Sequence, residues 1–283
     1  MLVTLNEVLC DAKKNKYGVG LFNTPNLEMA QGVLAAAEET KSPVIIGTAE
    51  IFLHLSSLEE LSYFLIPMAK KATVPVVLHF DHGLTEENVL KALKLGFSSV
   101  MYDCSTETYE NNIKKVAEMA RIAKMFGATI EAELGHVGAN DSGAAEATGE
   151  GDDSIYTQPE QAKDFVEKTD VDALAVAIGT AHGAYKAKPK LDIGRLKVIS
   201  ETVKVPLVLH GGSGLSDDDF KNCIANGISK VNIFTDINCA AAKAVADNYA
   251  AGKGMTDVMA LIAEAVKEET MKKMRVFGSP NHG

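Results

Sequence analysis

The chain alternates between short runs of apolar residues and longer segments whose apolar positions recur at helical spacing. Most apolar runs are continuous rather than alternating, which is typical of parallel strands that are covered on both faces. Amphipathic segments such as "TEENVLKALKLG" lie between them, and several end at a glycine, as helices commonly do. We predict eight strands, at residues 17–23, 43–48, 75–81, 98–104, 129–135, 173–179, 206–212 and 230–236.

Eight strands that each precede a helix, in a chain of 283 residues, predict an α/β fold of the (β/α)8 or TIM-barrel type. An open, doubly wound sheet is the alternative, but it normally carries a glycine-rich turn after its first strand. Here that strand is followed by "NTPNLEM", which favours the barrel. We expect a single domain over residues 1–283, with a long Gly/Ala/Asp-rich loop at 136–157 and a C-terminal helical extension at 251–283 that packs on the surface or between subunits.

The composition is that of a globular protein and narrows the range of partners. The chain is 46% hydrophobic and carries a formal net charge of −10, which disfavours nucleic acids and anionic membranes because both reward basic patches. Its four cysteines form no CxxC pair, as is usual in a reducing compartment. The N-terminal residues lack the pattern of a signal peptide, and no apolar run approaches the roughly 20 residues of a membrane helix. We therefore expect a cytoplasmic protein.

Histidines concentrate at one end of the predicted strands. Barrel enzymes build their sites at the C-terminal strand ends, and five of the seven histidines lie there, in motifs such as "HFDH", "GTAHG" and "LHGGSG". Imidazole nitrogens suit Zn²⁺, and three protein ligands leave one coordination position open for substrate. We predict that His82, His182 and His210 bind a catalytic metal, and that His79 supports them from behind.

Two turns in the last third of the chain predict an anion site. "HGGSG" (210–214) follows a strand and precedes a helix start, so its backbone N–H groups can converge on an anion. "NIFTD" (232–236) likewise places Thr235 at the start of the next helix. Both turns follow the last two predicted strands, where barrels commonly bind phosphate. A metal beside a phosphate pocket indicates chemistry on a small phosphorylated metabolite.

Together these motifs closely resemble the class II, metal-dependent ketose-bisphosphate aldolases, a family that includes fructose- and tagatose-bisphosphate aldolases of carbohydrate metabolism. The resemblance covers essentially the whole chain and implies a (β/α)8 barrel, an aldehyde-lyase activity and zinc on His82, His182 and His210. It also implies a monovalent cation, Na⁺ or K⁺, near the phosphate and assembly as a homodimer or homotetramer. The motifs that carry it, in order, are "GLFNTPNLEMAQGVLAAAEETKSPVII", "VLHFDHG", "EAELGHVG", "GTAHGAYK", "VPLVLHGGSG" and "KVNIFTD".

The resemblance also implies roles for the other site residues. Asp81 exchanges a proton with the C4 hydroxyl of the ketose, while Asp103 and Glu133 bind a second or displaced ion. Cleavage leaves a carbanion beside a carbonyl, and a divalent metal stabilises that charge as an enediolate. A second base is expected on the loop after the fifth strand, with Glu146 as the candidate and Glu150 as the alternative. The residues implied to hold dihydroxyacetone phosphate are Gly183, Gly211, Gly212, Ser213, Asn232, Ile233, Phe234 and Thr235.

The implied substrate is a ketose 1,6-bisphosphate, either fructose or tagatose, cleaved to dihydroxyacetone phosphate and an aldehyde. Bisphosphate-cleaving members look to an arginine near the C-terminal helix for the second phosphate. This chain has only Arg121, Arg195 and Arg275, and none near Ala263, where that residue would align. Because a lysine does not replace the bidentate guanidinium, a ketose 1-phosphate without a distal phosphate is an alternative substrate.

Rival mechanisms and functions fit the residues less well. A Schiff-base lysine should project from the C-terminal half of a strand, whereas Lys230 opens the eighth predicted strand at the other end. A metal-dependent hydrolase usually carries an HxH pair on its first strand, and "GLFNTPN" contains no histidine. A non-catalytic aldolase-like subunit should lack the ligands, but His82, His182, His210 and Asp81 are all present. Metal content and release of dihydroxyacetone phosphate distinguish these alternatives.

Overall fold

The computed structural model describes residues 1–137, 156–183 and 189–283. Within these ranges the chain forms nine strands, which all run parallel to their neighbours. The strands are β1 (Leu2–Val3), β2 (Val19–Asn23), β3 (Val44–Ala49), β4 (Val76–Gly83), β5 (Ser99–Tyr102), β6 (Thr129–Leu134), β7 (Ala173–Val176), β8 (Leu207–Leu209) and β9 (Ile228–Ile233).

The helices of the described ranges surround these strands, and none of them is long and apolar enough to cross a membrane. A short 3-10 turn, Glu50–Phe52, follows β3. The helices are α1 (Leu5–Asn15), α2 (Leu27–Thr40), α3 (Leu58–Lys71), α4 (Glu86–Leu95), α5 (Tyr109–Met125), α6 (Pro159–Thr169), α7 (Ile193–Thr202), α8 (Asp217–Ala225), α9 (Thr235–Asn248) and α10 (Met255–Phe277).

Strands β2 to β9 close into the predicted eight-stranded barrel. They follow the order β4-β3-β2-β9-β8-β7-β6-β5, and an additional pairing of β4 with β5 closes the ring. The (β/α)8 prediction is therefore confirmed. Strand β1 adds beside β4 through Leu2 and Val76, and it was not predicted because two residues carry no periodicity. The strand predicted at 230–236 overlaps β9, which begins earlier, at Ile228, and ends at Ile233; Thr235 and Asp236 belong to α9.

Apolar residues fill the lower part of the barrel and leave its other end to polar groups. Strands β2 and β3 are buried at every position, as continuous apolar runs predict. Alternate residues of several strands pack inside the barrel, and α1 contributes to the same cluster. Because this apolar cluster fills the N-terminal end of the barrel, a ligand can enter only at the C-terminal strand ends. The inner cluster contains Leu5, Val8, Leu9, Ala12, Tyr17, Val19, Leu21, Ile45, Val77, Ala173, Ala175 and Val208.

The C-terminal helix α10 packs against its own barrel. It lies on α2 so closely that a Cβ atom added to Gly32 would stand 2.4 Å from the carbonyl oxygen of Ala263. Phe277, at the end of α10, is 1% exposed and its carbonyl accepts a hydrogen bond of 2.8 Å from the Gly18 amide. The helix is thus packed into the fold, and its last residue holds the segment that leads into β2.

Candidate active site and metal centre

Two consecutive residues at the end of β4, Asp81 and His82, both line one cavity at the barrel mouth. In a regular strand such neighbours point to opposite faces. The pairing of β4 with β5 shifts register between Phe80 and Gly83. His82 has a φ of 42°, in the left-handed region that non-glycine residues rarely adopt. Bulges of this kind redirect side chains near active sites, which explains how "HFDH" delivers a carboxylate and an imidazole to the same place.

The three predicted metal ligands, His82, His182 and His210, come together at this mouth. One nitrogen from each ring lies within 4.8 Å of the other two. The closest approach joins Nδ1 of His210 to Nε2 of His82, at 2.7 Å. Nε2 of His182 is buried and has no hydrogen-bond partner. Because a buried polar atom normally has a partner, this unmatched nitrogen and the all-imidazole donor set fit a divalent metal such as Zn²⁺.

Carboxylates orient two of these rings. Nδ1 of His82 lies 2.7 Å from Oδ2 of Asp103, and Nε2 of His210 lies 2.8 Å from Oε1 of Glu131. A carboxylate on one ring nitrogen selects the tautomer whose other nitrogen is free to bind a metal. The nitrogens left for a metal are therefore Nε2 of His82 and Nδ1 of His210, which lie within hydrogen-bond distance of each other.

The buried charges of the site shift one another's protonation. Burial alone would lower the pKa of His82, but the carboxylates of Asp81, Asp103 and Glu133 outweigh it and raise this pKa to about 9. Burial, together with the charge of Asp103, raises the pKa of Glu133 to about 8. Burial and the neighbouring imidazoles lower the pKa of His182 to about 3. The ring of His182 is thus neutral and able to donate its lone pair to a metal.

Asp81 is held as an oriented anion. Its side chain is buried, and each of its oxygens accepts a 3.0 Å hydrogen bond, one from Nδ2 of Asn23 and one from Nδ2 of Asn232. Burial would raise the pKa of this carboxyl group, but the positive charges of His82 and Lys230 hold it well below its usual range. Asp81 is therefore an ionised carboxylate of fixed orientation on the cavity wall.

The loops after β7 and β8 approach the site closely through glycines. Gly183 and Gly211 have φ values of 92° and 64°, which favour glycine. A Cβ atom on Gly211 would also stand 2.4 Å from the carbonyl oxygen of Ala181. The backbone N–H of Phe234 donates a 3.2 Å hydrogen bond to Oγ of Ser213, which ties this loop to the start of α9. This loop and the N-terminus of α9 both line the cavity, and a helix N-terminus attracts anions.

One cavity of about 660 Å³ is lined by the predicted site residues of the described ranges other than His210. His136 lines it as well, while His210 contacts it through His82. The predicted base Glu146 and its alternative Glu150 lie outside the described residues. The predicted residues that line the cavity are Asp81, His82, Asp103, Glu133, His182, Gly183, Gly211, Gly212, Ser213, Asn232, Ile233, Phe234 and Thr235.

Three residues that organise the site received no role from the sequence: Asn23, Glu131 and Lys230. Glu131 is one of the carboxylates at the end of its predicted strand, and Asn23 is a polar residue that ends an apolar one. Lys230 is fully buried in β9, with Nζ 2.7 Å from Oε2 of Glu131. Its ammonium group is ion-paired beneath the site, unlike the apolar pocket expected around a Schiff-base lysine. His79 lies at the same depth, with Nδ1 2.7 Å from Oγ of Ser99.

A comparison with known protein families identifies the family to which this chain belongs. The model of the family described as "Fructose-bisphosphate aldolase class-II" matches residues 3–282. The chain belongs to the class II fructose-bisphosphate aldolase family. This aldolase is a lyase of a metal-dependent family that acts on small phosphorylated sugars, in agreement with the three converging imidazoles.

Similar proteins span the whole length of this aldolase. The fructose-bisphosphate aldolase of Thermus caldophilus is 39% identical over 99% of both chains. The protein YdjI of Escherichia coli K12, which bears the description "uncharacterized", is 43% identical over 95% of both chains. The crystal structure titled as the YdjI aldolase superposes with a TM-score of 0.90 and covers 100% of this chain and 99% of that one.

Proposed function

We propose that this aldolase reversibly cleaves a phosphorylated ketose to dihydroxyacetone phosphate and an aldehyde. The observation that carries the proposal is the single cavity in which converging imidazoles, a buried carboxylate and glycine-rich loops adjoin one another. These three features supply an electrophile site, a proton acceptor and an anion site, which are what an aldol cleavage of a phosphorylated ketose requires.

We propose Zn²⁺ as the metal, held by His82, His182 and His210. When bound, such an ion polarises the oxygens of the ketose as a Lewis acid. Asp103 and Glu133 form a second group of close ligand atoms with His82, which supports a role in holding a second or displaced ion. A monovalent cation, Na⁺ or K⁺, is proposed beside the phosphate.

Asp81 is proposed to exchange the proton of the substrate's C4 hydroxyl. As the bond between C3 and C4 breaks, that proton passes to the carboxylate and C4 becomes the aldehyde carbon. The electron pair of the broken bond remains with C3, which takes up a proton to complete dihydroxyacetone phosphate. Glu146, or Glu150 in its place, is proposed to supply this second proton from the loop after β6.

The phosphate of the dihydroxyacetone half is proposed to bind at the loops after β7 and β8 and at the start of α9. The support is the close backbone approach at Gly211 and the position of Gly212, Ser213 and Thr235 on the cavity wall. Backbone N–H groups at a helix N-terminus attract anions through both hydrogen bonds and the helix dipole. Gly183, Asn232, Ile233 and Phe234 are proposed to complete this half of the site.

For the distal half of the substrate, a ketose 1,6-bisphosphate (fructose or tagatose) and a ketose 1-phosphate are the two candidates. The second is favoured by the lining of the cavity, where the described residues include no lysine or arginine. Ala49, Ile51, Phe52 and Leu84 contribute an apolar wall instead. The carboxylate of Glu50 fixes this wall, because it accepts hydrogen bonds from the backbone and side chain of the segment after β4, including 2.7 Å from the Leu84 amide. A phosphate dianion beside such a wall lacks a charged partner.

A substrate screen tests both levels of the proposal. We expect release of dihydroxyacetone phosphate from ketose 1-phosphates with a higher kcat/KM than from fructose or tagatose 1,6-bisphosphate. Replacing Ile51 by arginine should shift this preference toward the bisphosphates by roughly 10- to 150-fold, since a charge-assisted hydrogen bond contributes roughly 1.5–3 kcal/mol. Leu55→Arg is the matched control, because Leu55 is exposed and does not line the cavity.

The screen distinguishes a wrong substrate from a wrong function. A preference of the parent chain for bisphosphates would reject the 1-phosphate substrate and leave the aldolase activity standing. The absence of release from every phosphorylated ketose, with Zn²⁺ supplied, would reject the proposed function itself.

A further inference from the structure

A charged pair lies inside the barrel beneath the site. The side chains of Lys230, on β9, and Glu131, on β6, are both fully buried, and their charged atoms are 2.7 Å apart. Burying two charges costs several kcal/mol per ion before their attraction repays it. The pair is therefore less favourable for stability than apolar residues of similar size would be in the same place.

The pair is connected to the proposed metal position by one continuous line of contacts. Oε2 of Glu131 meets Nζ of Lys230, and Oε1 of the same carboxylate lies 2.8 Å from Nε2 of His210. On the far side of that ring, Nδ1 of His210 lies 2.7 Å from Nε2 of His82. The two oxygens of Glu131 thus contact different groups: one contacts the ammonium group of Lys230 and the other the imidazole of His210.

We infer that Lys230 and Glu131 are positioning residues that determine which nitrogen of His210 binds the metal. The carboxylate accepts the Nε2–H of His210, so the proton is kept off Nδ1 and the ring cannot rotate. Lys230 holds the other oxygen and prevents the carboxylate from turning away. The inference rests on the proposed metal site, and it adds two residues that do not touch metal or substrate.

A purely structural role is the competing explanation. The ion pair could serve only to satisfy two buried charges, in which case replacing both residues together should be harmless. Apolar replacement of buried ion pairs is often neutral or stabilising, whereas removal of one partner alone is strongly destabilising. Double variants therefore separate the two roles, and single variants do not.

The test compares two double variants with the parent chain. In Lys230→Met with Glu131→Leu, the acceptor for His210 is lost but no charge is left unpaired. In Lys230→Met with Glu131→Gln, the side-chain carbonyl can still accept from Nε2–H. We expect the Leu variant to bind Zn²⁺ about 10- to 100-fold more weakly in competition with a chelator. The Gln variant should recover part of that affinity.

Two further readouts exclude loss of folding as the cause. Thermal unfolding of the metal-free proteins should be similar for the parent chain and both double variants. The visible absorption of bound Co²⁺, at saturating metal, should differ between the Leu variant and the parent, because the ligand field depends on how His210 is oriented. Glu59→Leu with Lys91→Met is the matched control: this pair, 3.1 Å apart, lies on the surface, with 44% and 40% of the two side chains exposed.

The inference is wrong if both double variants bind Zn²⁺ as tightly as the parent chain and show its Co²⁺ spectrum. It is also wrong if the Gln and Leu variants lose affinity equally. A parent chain that binds no metal would instead reject the proposed metal site, so the two failures are distinguishable.

Discussion

Replacement of Asp81 by asparagine is expected to slow carbon–carbon cleavage by roughly 10²- to 10⁴-fold, the usual contribution of a positioned general base. Asparagine keeps the size of the side chain but cannot accept a proton at neutral pH. The side-chain amides of Asn23 and Asn232 donate hydrogen bonds to separate oxygens of the Asp81 carboxylate, and an asparagine offers only one oxygen in their place. The measurement is kcat for release of dihydroxyacetone phosphate, with zinc content determined on the same preparation.

Zinc content should be unchanged in this variant, because the predicted ligands are imidazoles. Asp247→Asn is the matched control, since the Asp247 side chain is 55% exposed and pairs with Lys243 on α9. That variant should retain the parent kcat. If Asp81→Asn were as fast as the control, Asp81 would have no role in proton transfer.

Replacement of His182 by alanine is expected to remove both metal and activity. Its Nε2 is buried and has no hydrogen-bond partner, so its removal takes away a ligand and leaves no charge unpaired. The contacts of His82 with Asp103 and of His210 with Glu131 remain. We expect a loss of Zn²⁺ affinity greater than the roughly 10- to 100-fold caused by losing an orienting partner.

This loss is measured by metal analysis after dialysis and by chelator competition. His282→Ala is the control, because His282 stacks on Tyr17 with ring centroids 4.0 Å apart and does not line the cavity. Its zinc content and turnover should match those of the parent chain. Retention of a full equivalent of tightly bound zinc by His182→Ala would contradict the three-histidine site.

Much of this architecture follows from the order of residues. Continuous apolar runs such as "PVIIGT" predict strands buried on both faces, and their alternation with helices predicts the barrel. Once the strands are placed, parallel geometry alone brings His182 and His210 to the same rim. The proximity of these histidines is thus a consequence of the barrel topology and can be predicted from the order of the strands alone.

Other features depend on distortions or partners that periodicity does not encode. Strand parity places His79 and Asp81 on one face and His82 on the other, and only the bulge in β4 brings His82 back. The pairing of Lys230 with Glu131 joins strands about 100 residues apart in sequence, a contact that a single sequence does not specify. Local pattern determines which face a residue occupies, whereas tertiary packing selects its partner.

The metal dependence of this aldolase is tested by turnover of a phosphorylated ketose before and after exhaustive chelation, followed by titration with Zn²⁺. We expect release of dihydroxyacetone phosphate to disappear on chelation and to return in proportion to added metal until His82, His182 and His210 are saturated. Undiminished release from a protein shown to contain no divalent metal would contradict this expectation.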